Sequence, residues 1–424
     1  CGEVALSDMG ASCGSSMALC CHDYLCCCLP CCQYEGLGRV ENWLEVKSAE
    51  ARFVKLIGEG DFRFVESCAG NAEYDKENVY IPVQKKDMTC WVYKLNPSKG
   101  DIEVVAQIRK PSDSKSKLTP FGCALSSKGV LWICCFNQSV VLGFDLRTKA
   151  VVAEIEGSYG PNDCCLSEDE IYLYIAGGSR MGSIPIGVGR GSVYRINVSV
   201  ETKSVQRKAV LCVKDAEGTM AGIAEAGEKL YCAHLQRMTV YNQSVDHPGS
   251  HNGRRFWTGL DAKSGKYYLC DNLVWWDEKR TRLLTPYYRT LDGHIGKTLD
   301  YVPEAGTCCW VGARVATIQE RLDQLKDAGI QDVAELVEDV DKDPEISLEF
   351  SNKDVFEDVH FCVHDLPTNR CYNYMMKTKG LKTDFDGHVT HIERFQGNLI
   401  LVNFLKHHIC ILPEKAFTAP PISS

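Results

Sequence analysis

The chain has 424 residues, a net charge of -9, a pI near 5.7 and 45% hydrophobic residues. The acidic balance and the lack of a basic stripe argue against a nucleic-acid surface. No stretch approaches the ~18 apolar residues of a membrane-spanning helix, and length alone predicts two or three domains.

Cysteine is the compositional oddity: 24 residues, nine of them among the first 32. The segment Cys20-Cys21-His22-Asp23-Tyr24-Leu25-Cys26-Cys27-Cys28-Leu29-Pro30-Cys31-Cys32 is dense in soft ligands, and three readings compete. Thiolates select zinc or copper(I), but no clean pair of zinc-type spacings forms. Cysteines beside apolar residues can be S-acylated, which would tether the chain to a membrane. The third and first-ranked reading is an unstructured leader over residues 1–36, dispensable for folding. A signal peptide fits poorly, because there is no basic region before an apolar run. The first residue is Cys1, so a fragment or processed product is expected. The other cysteines fall in strand-like runs such as Cys134-Cys135, Cys164-Cys165 and Cys308-Cys309. Neighbours in a strand point to opposite faces, so one of each pair is expected to pack as a small buried hydrophobe rather than to form disulfides. Scattered thiols in a large β-protein predict a reduced, cytoplasmic location.

From residue 43 onward one pattern recurs: a small turn, an aromatic-rich apolar run, then a second apolar run ending in a polar turn. Gly129-Val130-Leu131-Trp132-Ile133-Cys134-Cys135-Phe136 is followed by Val140-Val141-Leu142-Gly143-Phe144-Asp145. Ile171-Tyr172-Leu173-Tyr174-Ile175 is followed by Ser192-Val193-Tyr194-Arg195-Ile196, and Lys229-Leu230-Tyr231-Cys232-Ala233 by Met238-Thr239-Val240-Tyr241. Similar runs stand at Asn78–Pro82, Lys266–Cys270 and Asn398–Asn403. Self-similarity every ~40–50 residues without intervening helices predicts a ring of β-sheet blades. The expectation is an all-β chain: one β-propeller of six or seven four-stranded blades over residues 37–415, with a tail at 416–424.

In chain order, Trp43–Lys47 and Phe53–Leu56 read as an outer strand completing the last blade, which would remove a free sheet edge. Blades are then expected at about 64–108, 119–155, 160–212 and 219–257. A shorter unit at about 259–288 gives seven blades if counted and six if merged. The next blade is expected from Asp292, and the last covers about 384–413. The runs at 130–136, 171–176, 229–234 and 399–403 read as inner strands. One helical insertion breaks the pattern at about 314–342. Ile318, Leu322 and Leu325 keep the helical period, Gly329 is a C-cap, and a second amphipathic helix follows. Such a pair either lids the channel or packs as a surface insert.

The blade starts carry Glu66-Ser67, Gly160-Pro161-Asn162-Asp163, Met220-Ala221-Gly222-Ile223 and Leu291-Asp292-Gly293. Their order resembles the senescence-marker-protein/gluconolactonase group, and more broadly the strictosidine synthase-like and paraoxonase-like calcium propellers, over about residues 50–415. The resemblance implies a divalent ion, Ca²⁺ first, at the mouth of the channel, held by Glu66, Asn162 and Asp292. It departs at Ala221, where the family's proline-asparagine-glycine motif supplies an oxygen ligand. Singly, each of these residues also reads as an ordinary turn or surface residue.

The sequence Leu291-Asp292-Gly293-His294-Ile295 recurs as Phe385-Asp386-Gly387-His388-Val389. His294 and His388 are therefore candidate general bases facing the channel, with His391 further along the strand. The functional expectation is a metal-dependent lactonase- or ester-hydrolase-like propeller acting on a small molecule in the channel. The alternatives are a non-catalytic propeller that binds a ligand or protein, and metal-free strictosidine synthase-like chemistry. Fold analogy does not choose between them.

Overall fold

The computed structural model describes residues 38–417, apart from 41–42, 57–61, 116, 137, 159, 178, 182–183, 187–190, 200–205, 214–219, 235–236, 244–245, 247–253, 262–266, 271, 292–356, 382, 384 and 404–407. The chain is an all-β propeller of six four-stranded blades. The innermost strands are, in order, Phe62–Val65 continued by Ala69–Gly70, then Pro120–Leu125, Pro161–Leu166, Gly222–Ala226, Tyr267–Cys270 continued by Val274–Trp275, and Val389–Phe395. Each packs against the next around the axis, and Val389–Phe395 returns to Ala69–Gly70. All six run in one direction, so their starts gather at one end of the channel and their finishes at the other.

The apolar alternation explains the ring. Val79, Ile81 and Val83 pack against Ile400 and Val402 of blade six, while Tyr80 on the same strand packs towards Leu131 and Ile133 of blade two. Trp132 and Cys134, which alternate with those two residues, face Leu173 and Ile175 of blade three. The period-two pattern thus feeds two different interblade cores from one strand. Of the adjacent cysteines, Cys164 is buried and Cys165 only partly so, as expected, whereas Cys134 and Cys135 are both fully buried, because both faces of that strand are covered. All thirteen described cysteines are free thiols. The segment 1–36, with its cysteine cluster, lies outside the described residues.

The runs at 130–136, 171–176, 229–234 and 399–403 are the second strands of their blades, not the innermost. Second strands are sandwiched on both faces and carry the strongest apolar signal. Innermost strands face the channel and carry polar residues that break the apolar run, as in Pro161–Leu166 and Val389–Phe395.

Blade five resolves the blade count. Its inner half is Tyr267–Cys270, Val274–Trp275 and Arg282–Leu291, and its outer half is Val359–Asp365 and Arg370–Met376. The short unit at 259–288 is therefore not an extra blade: its first residues, 259–261, end the outer strand of blade four, and the rest supplies most of the inner half of blade five. Residues 292–356 leave after Leu291, which pairs with Tyr267 at the start of the innermost strand. The expected helical insert, Asp292 and His294 lie in that stretch, outside the described residues.

The N-terminal strands are shared out among three blades. Arg52–Lys55 pairs antiparallel with His408–Pro413 as the outer strand of blade six, as expected. Trp43–Val46 instead runs parallel to the outer strand of blade five, and Gly38–Val40 parallel to that of blade four. This covers two edges that would otherwise be open. No helix among the described residues is long and apolar enough to cross a membrane.

Candidate functional site in the central channel

The channel has two polar layers. The first lies where the innermost strands start. Glu66 sits between the two pieces of blade one's innermost strand and is buried; its carbonyl accepts a bond from Thr390 Oγ1 at 3.3 Å, joining blades one and six. Asn162 is buried near the start of blade three's innermost strand, and its Nδ2 donates to Met220 O of blade four at 3.1 Å. Ala221, next to Met220, is also buried. His388 is fully buried just before blade six's innermost strand. Its backbone N–H donates to Asp386 Oδ1 at 3.0 Å, and Asn403 Nδ2 donates to the same oxygen at 2.7 Å. In the copy at 386–388 the aspartate-glycine-histidine sequence is thus a carboxylate-braced turn. The sequence-predicted residues Glu66, Asn162 and His388 come from blades one, three and six at the same end of the channel.

The second layer lies deeper, and of its members only His391 is expected from the sequence to face the channel. Asp163 Oδ1 accepts from Cys164 N at 2.8 Å and Oδ2 from Ile223 N at 3.2 Å, so the carboxylate bridges blades three and four. Burial pushes its carboxyl up to about 7; His391 pulls it down and Glu393 pushes it further up. Burial likewise raises Glu393, against the lowering pull of His391. His391 Nε2 stands 3.9 Å from Glu393 Oε2. Asn272 of blade five holds the strand between them, accepting from Ile392 N at 3.1 Å through Oδ1. Asp163, His391 and Glu393 line one cavity of about 290 Å³, whose wall includes Leu166, Trp275 and Arg394 at the end where the innermost strands finish. That mouth is fixed by interblade polar contacts. Glu170 accepts from Ser127 N and Oγ and from Asn71 Nδ2. Arg280 of blade five donates to Glu225 Oε2 of blade four at 2.7 Å.

One signal could have pointed to this layer. His391 and Glu393 are two residues apart in a strand and so share a face, here the channel face. Asp163 was legible only as part of a turn. Among the described residues, no group of three or more histidine, cysteine, aspartate or glutamate side chains is spaced to hold a metal ion.

No protein-family model and no curated protein matches the chain. Among solved structures, it is similar to a gluconolactonase of Xanthomonas campestris at 14% identity, over 87% of this chain and 91% of that one, with a TM-score of 0.47. It is similar to a hydrazine synthase of Kuenenia stuttgartiensis at 12% identity, over 82% and 75% of the two chains, with a TM-score of 0.43. A luciferin-regenerating enzyme aligns at 14% identity over 57% and 77%, with a TM-score of 0.37. At this level the likeness assigns no activity to the chain.

Proposed function

We propose that the protein hydrolyses small carboxylic esters or lactones at the end of the channel where the innermost strands start. One observation carries the reading: Glu66, Asn162 and His388, from three blades, are all buried there. A carbonyl substrate needs a polar, water-poor cleft with a base within reach of the attacking water. In this reading His388 takes the proton from water, and the carboxylate of Asp386 braces the turn that presents it.

A divalent ion, Ca²⁺ first, belongs to the reading, with Glu66, Asn162 and Asp292 as oxygen ligands; Asp292, and His294 as a second candidate base, lie outside the described residues. The described donors fit such an ion in part. Asn162 spends its Nδ2 on Met220 O, so its Oδ1 is the end that remains for a cation. Ala221 offers a methyl group where an oxygen would be wanted, and Ca²⁺ takes ~6–8 oxygens. When bound, such an ion polarises a carbonyl.

That same methyl group favours a second reading, a propeller that binds its ligand without turning it over. Calorimetric titration with Ca²⁺, Mn²⁺ and Zn²⁺, followed by a lactone and aryl-ester screen with and without the ion, separates the two. Metal-dependent turnover, with binding lost in Glu66→Gln, supports the hydrolase. Ligand capture without turnover supports the binding propeller.

A further inference from the structure

We propose that the end of the channel where the innermost strands start takes an anionic substrate, a small ester or lactone bearing a carboxylate, drawn in by a basic face on blades one and two. The inference rests on the hydrolase reading and names its substrate class.

Two loops make the face. Residues 86–89 join the second and third strands of blade one. Residues 109–119 lead from its outer strand, Asp101–Ile108, to Pro120, where blade two's innermost strand begins. Lys85 ends the second strand opposite Phe62, the first residue of blade one's innermost strand, so both loops lie at the start end. Gln84 Nε2 donates to Leu118 O at 2.8 Å and to Thr119 Oγ1 at 3.3 Å, which holds the loops side by side. Gln138 of blade two accepts from Thr119 N at 3.1 Å and donates to Lys117 O, fixing the same segment from its other side.

The chain carries a net charge of -9, but here the sign is reversed. Lys85, Lys86, Arg109, Lys110, Lys115 and Lys117 stand against Asp87, Asp113 and the buried Glu154, which takes Lys110 at 3.3 Å. Both aspartates are turned onto their own loops: Asp87 accepts from Thr89 N at 3.0 Å and Asp113 from Lys115 N at 3.1 Å. Lys86, Arg109, Lys115 and Lys117 are exposed, and none is ion-paired among the described residues. At the finish end the turns are acidic. The turn after blade one's innermost strand sets Glu73, Asp75 and Glu77 against Lys76, and the turn after blade three's holds Glu168, Asp169 and Glu170 with no cation. Charges so distributed raise the concentration of an anion at the start end, where Glu66, Asn162 and His388 lie, and lower it at the finish end. A neutral ester gains nothing from them.

Binding and turnover are measured separately on the full chain. Calorimetry compares 4-acetamidobenzoate, an anion with no ester to cleave, with neutral acetanilide. Kinetics compares 4-acetoxybenzoate with phenyl acetate, each normalised to its uncatalysed rate. In both pairs the anion should lead by about tenfold at ~20 mM salt, and the lead should shrink to about twofold at ~300 mM. The combined variant Lys86→Gln, Lys115→Gln, Lys117→Gln, at exposed positions, should lose the lead and treat the neutral ester as the parent does. Salt-sensitive binding of the anion with no turnover of either ester would sink the hydrolase reading and keep the anion-selective face. Equal treatment of anion and neutral partner in both measurements, or no binding and no turnover of either, would overturn the inference. Binding of heparin with none of the small anion would give the face to a polyanion and overturn the substrate class.

Discussion

Gly122 and Asp163 approach so closely that no side chain fits between them. A Cβ on Gly122 would lie 2.6 Å from Asp163 Cα and 2.8 Å from Asn162 O. Blade two is thereby drawn against blade three at the level where Asn162 and Asp163 enter the channel. The neighbouring atoms are mostly backbone, which cannot turn aside as a flexible side chain could. Gly122→Ala is expected to destabilise the fold by about 1–3 kcal/mol through overpacking. The check is a lower denaturant midpoint at unchanged slope. An unaltered midpoint would mean the two strands separate freely, and that the placement of Asp163 is not set by Gly122.

The N-terminal strands act as a strap. Trp43 rests edge-on against His360, with ring centroids 4.6 Å apart, and also contacts Tyr268 and Tyr287. All three partners belong to blade five, whose outer edge Trp43–Val46 covers. Trp43→Ala should cost about 2 kcal/mol, less than a fully buried tryptophan because Trp43 is only partly buried. Deleting residues 1–36 should leave the melting temperature unchanged, while a deletion extended through residue 47 should lower it. Equal melting temperatures for the two truncations would dismiss the strap.

Two histidines make acid a specific threat to blade five. Burial pushes His360 and His364 each down to about 4, and the hydrogen bonds to Asp358 O and Asn369 Oδ1 only partly offset it. The folded state therefore keeps both rings neutral where the unfolded chain, titrating near ~6.5, takes up protons. Stability is full above about 6.5 and falls as pH drops towards about 4, by up to roughly 3 kcal/mol for each ring. Denaturation midpoints measured between about pH 8 and 4.5 should show this slope, and His364→Asn should flatten it. A midpoint independent of pH in that window would contradict the burial argument.

Much of the ring was legible because a blade's second strand must be apolar on both faces. Runs such as Leu131–Cys135 and Leu399–Val402 announce themselves for that reason. What the same physics hides is the innermost strand. Thr390-His391-Ile392-Glu393 alternates like any half-exposed strand, and nothing local says that its polar face meets a closed channel rather than solvent. Blade five was misread because its two halves, joined by the Leu284–Val363 pairing, are separated in sequence by residues 292–356. Periodicity cannot cross such a gap. Glu66 and Asn162 are singled out by the order of motifs; Asn162 lies at the start of its innermost strand and Glu66 between the two pieces of its own. Asp163, beside Asn162, passed as a turn residue, because its partner Ile223 N lies 60 residues away in sequence.

The mouth where the innermost strands finish depends on one buried ion pair. Arg280 donates to both the carboxylate and the carbonyl of Glu225, at 2.7 and 2.8 Å, clamping blade five to blade four. Burial raises the Glu225 carboxyl, and Arg280 pulls it back down. Removing the charge of Glu225 leaves a half-buried guanidinium short of a partner. Glu225→Gln should cost about 2 kcal/mol. Both bonds leave one nitrogen, Arg280 Nη1, so Arg280→Lys, with a shorter reach, should keep only part of the stability of the pair. Full stability in the lysine variant would show that charge alone, not the placement of Nη1, holds the mouth.

The sharpest test of the proposed catalytic end is to give back what Ala221 lacks. Asn162 already reaches across to Met220 O, so residue 221 stands beside one proposed ligand at the start of blade four. If a cation is held there, an added amide oxygen should tighten it. Ala221→Asn is expected to raise Ca²⁺ affinity by about tenfold, roughly 1.4 kcal/mol, as one more hard ligand replaces water. Ala221→Leu, of similar bulk but without an oxygen, should not. Because Ala221 is 3% exposed, both variants carry a packing cost, and the leucine variant measures it. Titration calorimetry with Ca²⁺ on the parent and both variants, followed by the ester and lactone screen on whichever binds, reads the outcome. Tighter binding with faster turnover in the asparagine variant alone would tie the cation to hydrolysis. Ca²⁺ affinity that is the same in all three proteins would remove the ion from the first layer, and with it the metal-dependent form of the hydrolase reading.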